Sequence, residues 1–188
     1  MTAPGEAGAP STPGRVRRVV TGVGEDGRSR ILSDRLLPTG REPDGSFLRI
    51  GLWVTDASPA SNQGTADPVP DGMIDQVVPP SPGGTVVRIV DIPPEAAWPA
   101  LGGLMAMEGV VVDPARAARH PGFHKTATVD YAVCLEGEVW MLLDEDETLL
   151  RPGDVIVQRG THHAWSNRSD RVCRVLLVMV DAEPLPGH

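Results

Sequence analysis

Apolar and polar residues alternate in short runs through most of the chain, the period-two signature of strands that bury one face. RVRRVVTG from Arg15, the turn GEDG and the return run SRILSDR predict an opening hairpin. Further on, FLRIGLWVTD divides into Phe47, Arg49, Gly51 and Trp53 on one face and Leu48, Ile50, Leu52 and Val54 on the other, and the second face reads as the buried one. GTVVRIVDIPP is a β-branched strand stopped by Pro93 and Pro94. The final third is a succession of short strands, TVDYAVCLEG, EVWMLLD, ETLLR, DVIVQ, THHAWSN and RVCRVLLVMV, separated by turn residues such as Glu136-Gly137 and Pro152-Gly153. Strands at that spacing signal a sandwich or barrel.

Between these runs the pattern lapses. Residues 57–84 have no periodicity and read as a passive surface crossing rather than a lid. The stretch from Glu95 to Arg119 mixes helix formers with Gly and Pro and predicts one or two short helical turns, one near Pro114 to Arg119 with Asp113 as N-cap. The first 14 residues, MTAPGEAGAPSTPG, hold almost no large apolar group to offset the entropy of ordering and are expected to be a disordered tail.

Composition narrows this all-β picture. At 188 residues, one compact core with terminal extensions is the default. The expected division is a tail at 1–14, N-terminal strands and the long loop at 15–84, a barrel at 85–182 and a C-terminal tail at 183–188. A net charge of −8 argues against nucleic acid and anionic membrane surfaces as partners. No apolar run approaches the roughly 20 residues of a membrane span, and the N-terminus lacks a basic region followed by an apolar one, so a cytoplasmic protein is expected. Cys134 and Cys173 lie in apolar strand-like runs and read as small buried hydrophobes, with a disulfide left open.

The candidate chemistry lies between His124 and Asn167. On an unbroken strand His124, Thr126, Thr128 and Asp130 would share one face, and Lys125, Ala127, Val129 and Tyr131 the other. If the polar stripe faces a barrel interior, its His and Asp must be hydrogen-bonded or metal-bound. His162 and His163 should point to opposite faces, which sends His162 to the surface or a subunit contact if His163 faces inward. Trp165, two residues on, would share the face of His163 and wall the pocket.

This stretch resembles the cupin superfamily, whose first motif is G-x5-H-x-H-x3,4-E-x6-G and whose second is G-x5-P-x-G-x2-H-x3-N. His124 takes the first histidine position, Thr126 the second, Asp130 the glutamate and Gly137 the closing glycine; Gly160, His163 and Asn167 match the end of the second motif, with Gln158 at the proline position and Gly153 one residue closer than the pattern asks. The resemblance covers about the last 100 residues. It implies an antiparallel jelly-roll barrel and a divalent transition metal (Fe, Zn, Ni or Mn) held by His124, Asp130 and His163. Thr126 and Asp130 depart from the usual ligands, so a metal-free site in which His163 and Asp130 do general acid/base work stays open.

The expected function is a metal-dependent small-molecule enzyme of lyase type (dehydration, decarboxylation or isomerisation), with catalytic residues His163 and Asp130 and a substrate pocket lined by Thr126, Thr128, Trp165 and Asn167. An iron-dependent dioxygenase and a non-catalytic binder of a small ligand are the alternatives. Because jelly rolls must protect their strand edges, the N-terminal strands are expected to cover the barrel or exchange within a homodimer.

Overall fold

The computed structural model describes residues 15–37, 48–69, 79–97 and 113–185. The expected tail at 1–14, the loop after Leu37, the middle of the 57–84 crossing and most of the 95–119 stretch lie outside the described residues.

Every pairing is antiparallel. β1 (Val16–Val23) and β2 (Ser29–Leu37) form the predicted hairpin. β3 (Leu48–Thr55), β4 (Thr85–Ile92), β5 (Thr128–Glu136), β8 (Val155–Arg159) and β10 (Cys173–Asp181) build a five-stranded sheet in the order β3-β4-β10-β5-β8. β6 (Val139–Leu142), β7 (Glu147–Leu150) and β9 (Ala164–Ser166) make a three-stranded sheet in the order β7-β6-β9. Among the described residues, helical structure is confined to a 3-10 turn at Glu95–Ala97 and α1 (Pro114–Ala117), which begins with Pro at its first turn and has Asp113 accepting from the backbone N–H of Ala115 at 2.8 Å, the cap that the sequence predicts.

The two sheets face one another across a core of Val90, Ile92, Ala132, Cys134, Val139, Leu150, Cys173, Val175 and Leu177. This is the expected all-β arrangement of jelly-roll type, although among the described residues hydrogen bonding does not run on from one sheet to the other to close a barrel. Both cysteines are free and buried, with their sulfurs 3.9 Å apart.

The β1–β2 hairpin packs on the outer face of the large sheet, where Leu37, Ile50 and Ile89 form a second cluster joined by Val16, Leu52 and Leu176. Arg18 ties it down by donating to the Val69 carbonyl at 2.9 Å and to Asp67, which also accepts from Arg35 at 2.8 Å. Ile50 is therefore buried as expected, but the opposite face of β3 is covered too. Arg49 pairs in register with Val90 and Gly51 with Arg88, so Arg49 lies on the face turned toward the core, not on an open one. Alternation within one strand distinguishes its two faces without saying that a second layer covers each.

The interior face of the large sheet can be followed across the register. Arg88 on β4 lies opposite Leu177, Leu177 opposite Ala132, and in the next row Met179 lies opposite Asp130 and Asp130 opposite Gln158. Toward one end this face is apolar; toward the other it carries Arg88, Asp130, Gln158, Thr126 and Thr128, all buried.

Candidate functional site in the polar interior

His124 and His163 lie outside the named strands and meet through a two-residue antiparallel bridge, each backbone N–H donating to the other's carbonyl at 2.9 Å. Phe123 beside His124 is fully buried with Leu142 and Ala164, which anchors the bridge to the small sheet. The pairing puts the two imidazoles on the same side, with ring centroids 4.4 Å apart.

Each ring is held by its Nδ1. In His124 that atom is 2.8 Å from the Gly122 carbonyl, and in His163 it is 3.0 Å from the Thr161 carbonyl. A carbonyl oxygen only accepts, so these contacts put the proton of each ring on Nδ1 and leave each Nε2 its lone pair; in His163 the same Nδ1 also lies 3.2 Å from the amide nitrogen of Gln158, a longer contact than that to Thr161. The Gln158 amide nitrogen donates to the same Thr161 carbonyl at 2.9 Å, bracing this acceptor. Burial pushes the pKa of His163 down to about 3, with the neighbouring His124 ring adding to the effect. Burial also lowers that of His124, reinforced by the positive charges of Arg88 and Arg49. Both rings are neutral near pH 7.

The predicted polar stripe does face inward. Thr126, Thr128 and Asp130 are all buried, and the Thr126 and Thr128 hydroxyls are 2.7 Å apart. Burial raises the pKa of Asp130, opposed by a hydrogen bond from Thr128 and by the charge of Arg88. Its Oδ1 is buried with no hydrogen-bond partner, as is Oε1 of Gln158 on the next strand.

The three residues expected to hold a metal are not gathered into one set. Among the described residues no three His, Cys, Asp or Glu side chains come close enough to hold an ion. The two histidines meet at their own bridge, whereas Asp130 sits within β5 between Met179 and Gln158 and leans on Thr128. Two imidazoles with free Nε2 atoms and carbonyl-bound Nδ1 atoms fit part of a divalent site, and the described residues do not supply its third ligand.

The remaining predicted residues divide. Trp165 stands edge-on to His163, with centroids 6.2 Å apart. Asn167 does not line the site. Its Nδ2 donates to the carbonyls of Ile92 and Arg171, both at 2.8 Å, and its Oδ1 accepts from the backbone and hydroxyl of Ser169, which leaves no capacity for a ligand. His162 is half-buried rather than exposed, with Nδ1 lacking a partner and a pKa lowered chiefly by burial. Tyr131 is exposed on the outer face, opposite the stripe.

Two functional candidates were missed: Arg49 and Arg88. Arg88 is only 8% exposed, and burial pushes its pKa down to about 10, with Arg49 contributing. Its Nε and Nη1 have no hydrogen-bond partner. Arg174, equally buried, is instead held by Asp91 through two bonds of 2.7 Å. The available signal was an arginine at an inward position of the otherwise apolar run VVRIV.

Residues 110–179 match the family model described as the cupin domain. That stretch holds both histidines, Asp130 and the strands β5 to β9 with most of β10, and is similar to the cupin domain. Phomopsin biosynthesis cluster protein D of Diaporthe leptostromiformis is 39% identical over 106 residues, covering 55% of this chain and 44% of that protein. Oryzines biosynthesis cluster protein J of Aspergillus oryzae is 36% identical over 106 residues, covering 55% and 46%. The chain thus matches less than half the length of these two relatives. A cupin-domain-containing oxidoreductase of Aspergillus ruber is 28% identical over 180 residues, covering 89% of this chain and 73% of that protein. Among the described residues no helix is long and apolar enough to cross a membrane.

Proposed function

We propose that the chain is a cupin-type enzyme acting on a small molecule by proton transfer, of the dehydrating, decarboxylating or isomerising kind, at His124, His163 and Asp130. The observation that carries this reading is the pair of neutral imidazoles, each tethered at Nδ1 to a carbonyl and so left with an Nε2 lone pair, their ring centroids 4.4 Å apart. A lone pair so placed can take a proton from a carbon beside a carbonyl. The imidazolium that results is opposed by burial, and Arg88 and Arg49, whose charges His124 senses, offer positive charge to an oxyanion developing on the substrate. Iron, zinc, nickel or manganese held at the two Nε2 atoms would occupy those lone pairs and supply Lewis-acid polarisation of the carbonyl in their place, leaving Asp130 to move the proton.

A second reading, iron-dependent oxidation, draws on the relatives of Aspergillus ruber and Hypocrea virens that are named cupin-domain-containing oxidoreductases. A homodimer also belongs to the proposal. The outer face of β5 and β8, with exposed Tyr131, Leu135, Val155 and Val157 beside the sheet edge left open by β8, is the surface that a second copy would cover.

The test is solvent-deuterium uptake. Small oxo and hydroxy acids incubated with the enzyme in heavy water should exchange a C–H next to the carbonyl, and His163→Ala should abolish the exchange while His162→Ala retains it. Oxygen consumption with stoichiometric iron would replace this reading with the oxidative one. Neither activity across the panel would leave a non-catalytic binding cupin.

A further inference from the structure

The interior holds polar atoms of both kinds whose partners the fold does not provide. The donors are Nε and Nη1 of Arg88, and the acceptors are Oδ1 of Asp130 and Oε1 of Gln158, all buried. The fold does pair buried arginines elsewhere: Arg174 is gripped by Asp91, and Arg18 by Val69, Leu52 and Asp67. Arg88 makes no ion pair within 4 Å among the described residues, although it feels Asp130 electrostatically. An unpaired charge at that depth is costly to the fold, since burial strips its hydration and nothing among the described residues compensates it. A group that is retained at such a cost without a partner among the described residues is a candidate for one supplied by a ligand.

From this complement we infer that Arg88 is the carboxylate anchor of the substrate site, and that the ligand is a small hydroxycarboxylic acid whose hydroxyl donates to one of the two orphaned oxygens, Oδ1 of Asp130 or Oε1 of Gln158. A carboxylate accepts from the guanidinium, and a hydroxyl is the donor that the orphaned oxygens lack. Asp130 and Gln158 are direct cross-strand neighbours, so one hydroxyl can reach either, and Arg88 lies two strands away on the same face with the long side chain needed to converge on them. The bound carboxylate also places negative charge near His124, which already senses Arg88, so the anchor and the proton-moving ring share one ligand. This inference rests on reading the chamber as a small-molecule site, and it specifies the class of molecule.

The experiment uses L-lactate, L-malate and salicylate as probes, with methyl lactate and inorganic phosphate as controls, in calorimetric and thermal-shift titrations of the full chain. At least one hydroxy acid should bind the wild type and raise its Tm, methyl lactate should not, and Arg88→Met should weaken the acid by about 30-fold or more, the usual consequence of deleting a buried charged partner. In plain buffer the Tm of Arg88→Met should equal or exceed that of the wild type, because an uncompensated buried charge has been removed; a structural arginine would give the opposite. His163→Gln should still bind the acid, which separates this inference from the proton-transfer reading. Loss of Tm in Arg88→Met, equal affinity for acid and ester, tighter binding of phosphate than of every acid, or no binding by any probe would each overturn the assignment.

Discussion

Acidification from pH 6.5 to pH 5 should destabilise this protein through His163, well before its surface ion pairs begin to break. The folded ring has its pKa pushed down to about 3 by burial, while in the unfolded chain it titrates near 6.5. Between those values the unfolded state binds a proton that the folded state refuses, so stability rises with pH across the window and falls as the solution is acidified. Integrating over the 1.5 units gives about 1.6 kcal/mol from His163 alone. His124, lowered by the same burial, changes in the same direction. Asp130 works against both, because its raised pKa lets the folded state take up a proton first. The paired carboxylates Asp34, Asp113, Asp144 and Glu147 have lowered pKa values, so their stabilisation is lost only below the unfolded carboxylate range of about 4. Urea unfolding followed by tryptophan fluorescence at pH 7.5, 6.5, 5.5 and 5.0, on the wild type and on His163→Gln, isolates the histidine contribution as the difference between the two pH slopes. The variant should lose most of the slope. Equal slopes, or a wild type that gains stability on acidification, would refute a buried neutral His163.

Three further substitutions probe the frame around the site. Asn167→Ala should cost about 1–3 kcal/mol in urea unfolding, because it strands the buried carbonyl of Ile92 and removes the bonds to Arg171 and Ser169 that hold the loop; no measurable cost would return Asn167 to the substrate pocket. Gly137→Ala should destabilise more than Gly153→Ala. Both residues have positive φ, at 72° and 95°, but a Cβ on Gly137 would sit 2.6 Å from the Val172 carbonyl oxygen, whereas Gly153 has nothing within 4 Å. Equal losses would mean that the backbone angle alone matters.

Much of the frame was legible because local pattern and tertiary environment agree. The strands of the final third, the opening hairpin and the Asp113 cap each follow from alternation or turn chemistry that the packed structure then uses. The inward stripe of Thr126, Thr128 and Asp130 was legible for the same reason, since a strand of period two cannot turn one of the three away. The strand does break before Thr128, yet the bridge to His163 keeps His124 beside the stripe. What the sequence hid was non-local. Nothing in FLRIGLWVTD says that β3 has a hairpin on one side and a core on the other, so Arg49 looked like a surface residue. Arg88 required knowing which face of β4 points inward. Asn167 occupies a motif position that suggests a pocket, but its amide is used up by three backbone partners and the Ser169 hydroxyl, visible only once the loop is closed. The metal set failed to gather because motif spacing fixes order along a strand, not the distance between Asp130 and a bridge formed by residues outside it.

The central claim is that His124 and His163 present unprotonated Nε2 atoms to a buried chamber. Long-range 15N–1H correlation spectra of the imidazoles, recorded from pH 7.5 to 5.0, test it most directly. The account predicts two histidines in the pure Nδ1–H form with shifts that do not move over this range, and their loss in His124→Gln and His163→Gln respectively. Signals from these two rings that titrate near 6.5, or that show Nε2–H, would contradict it.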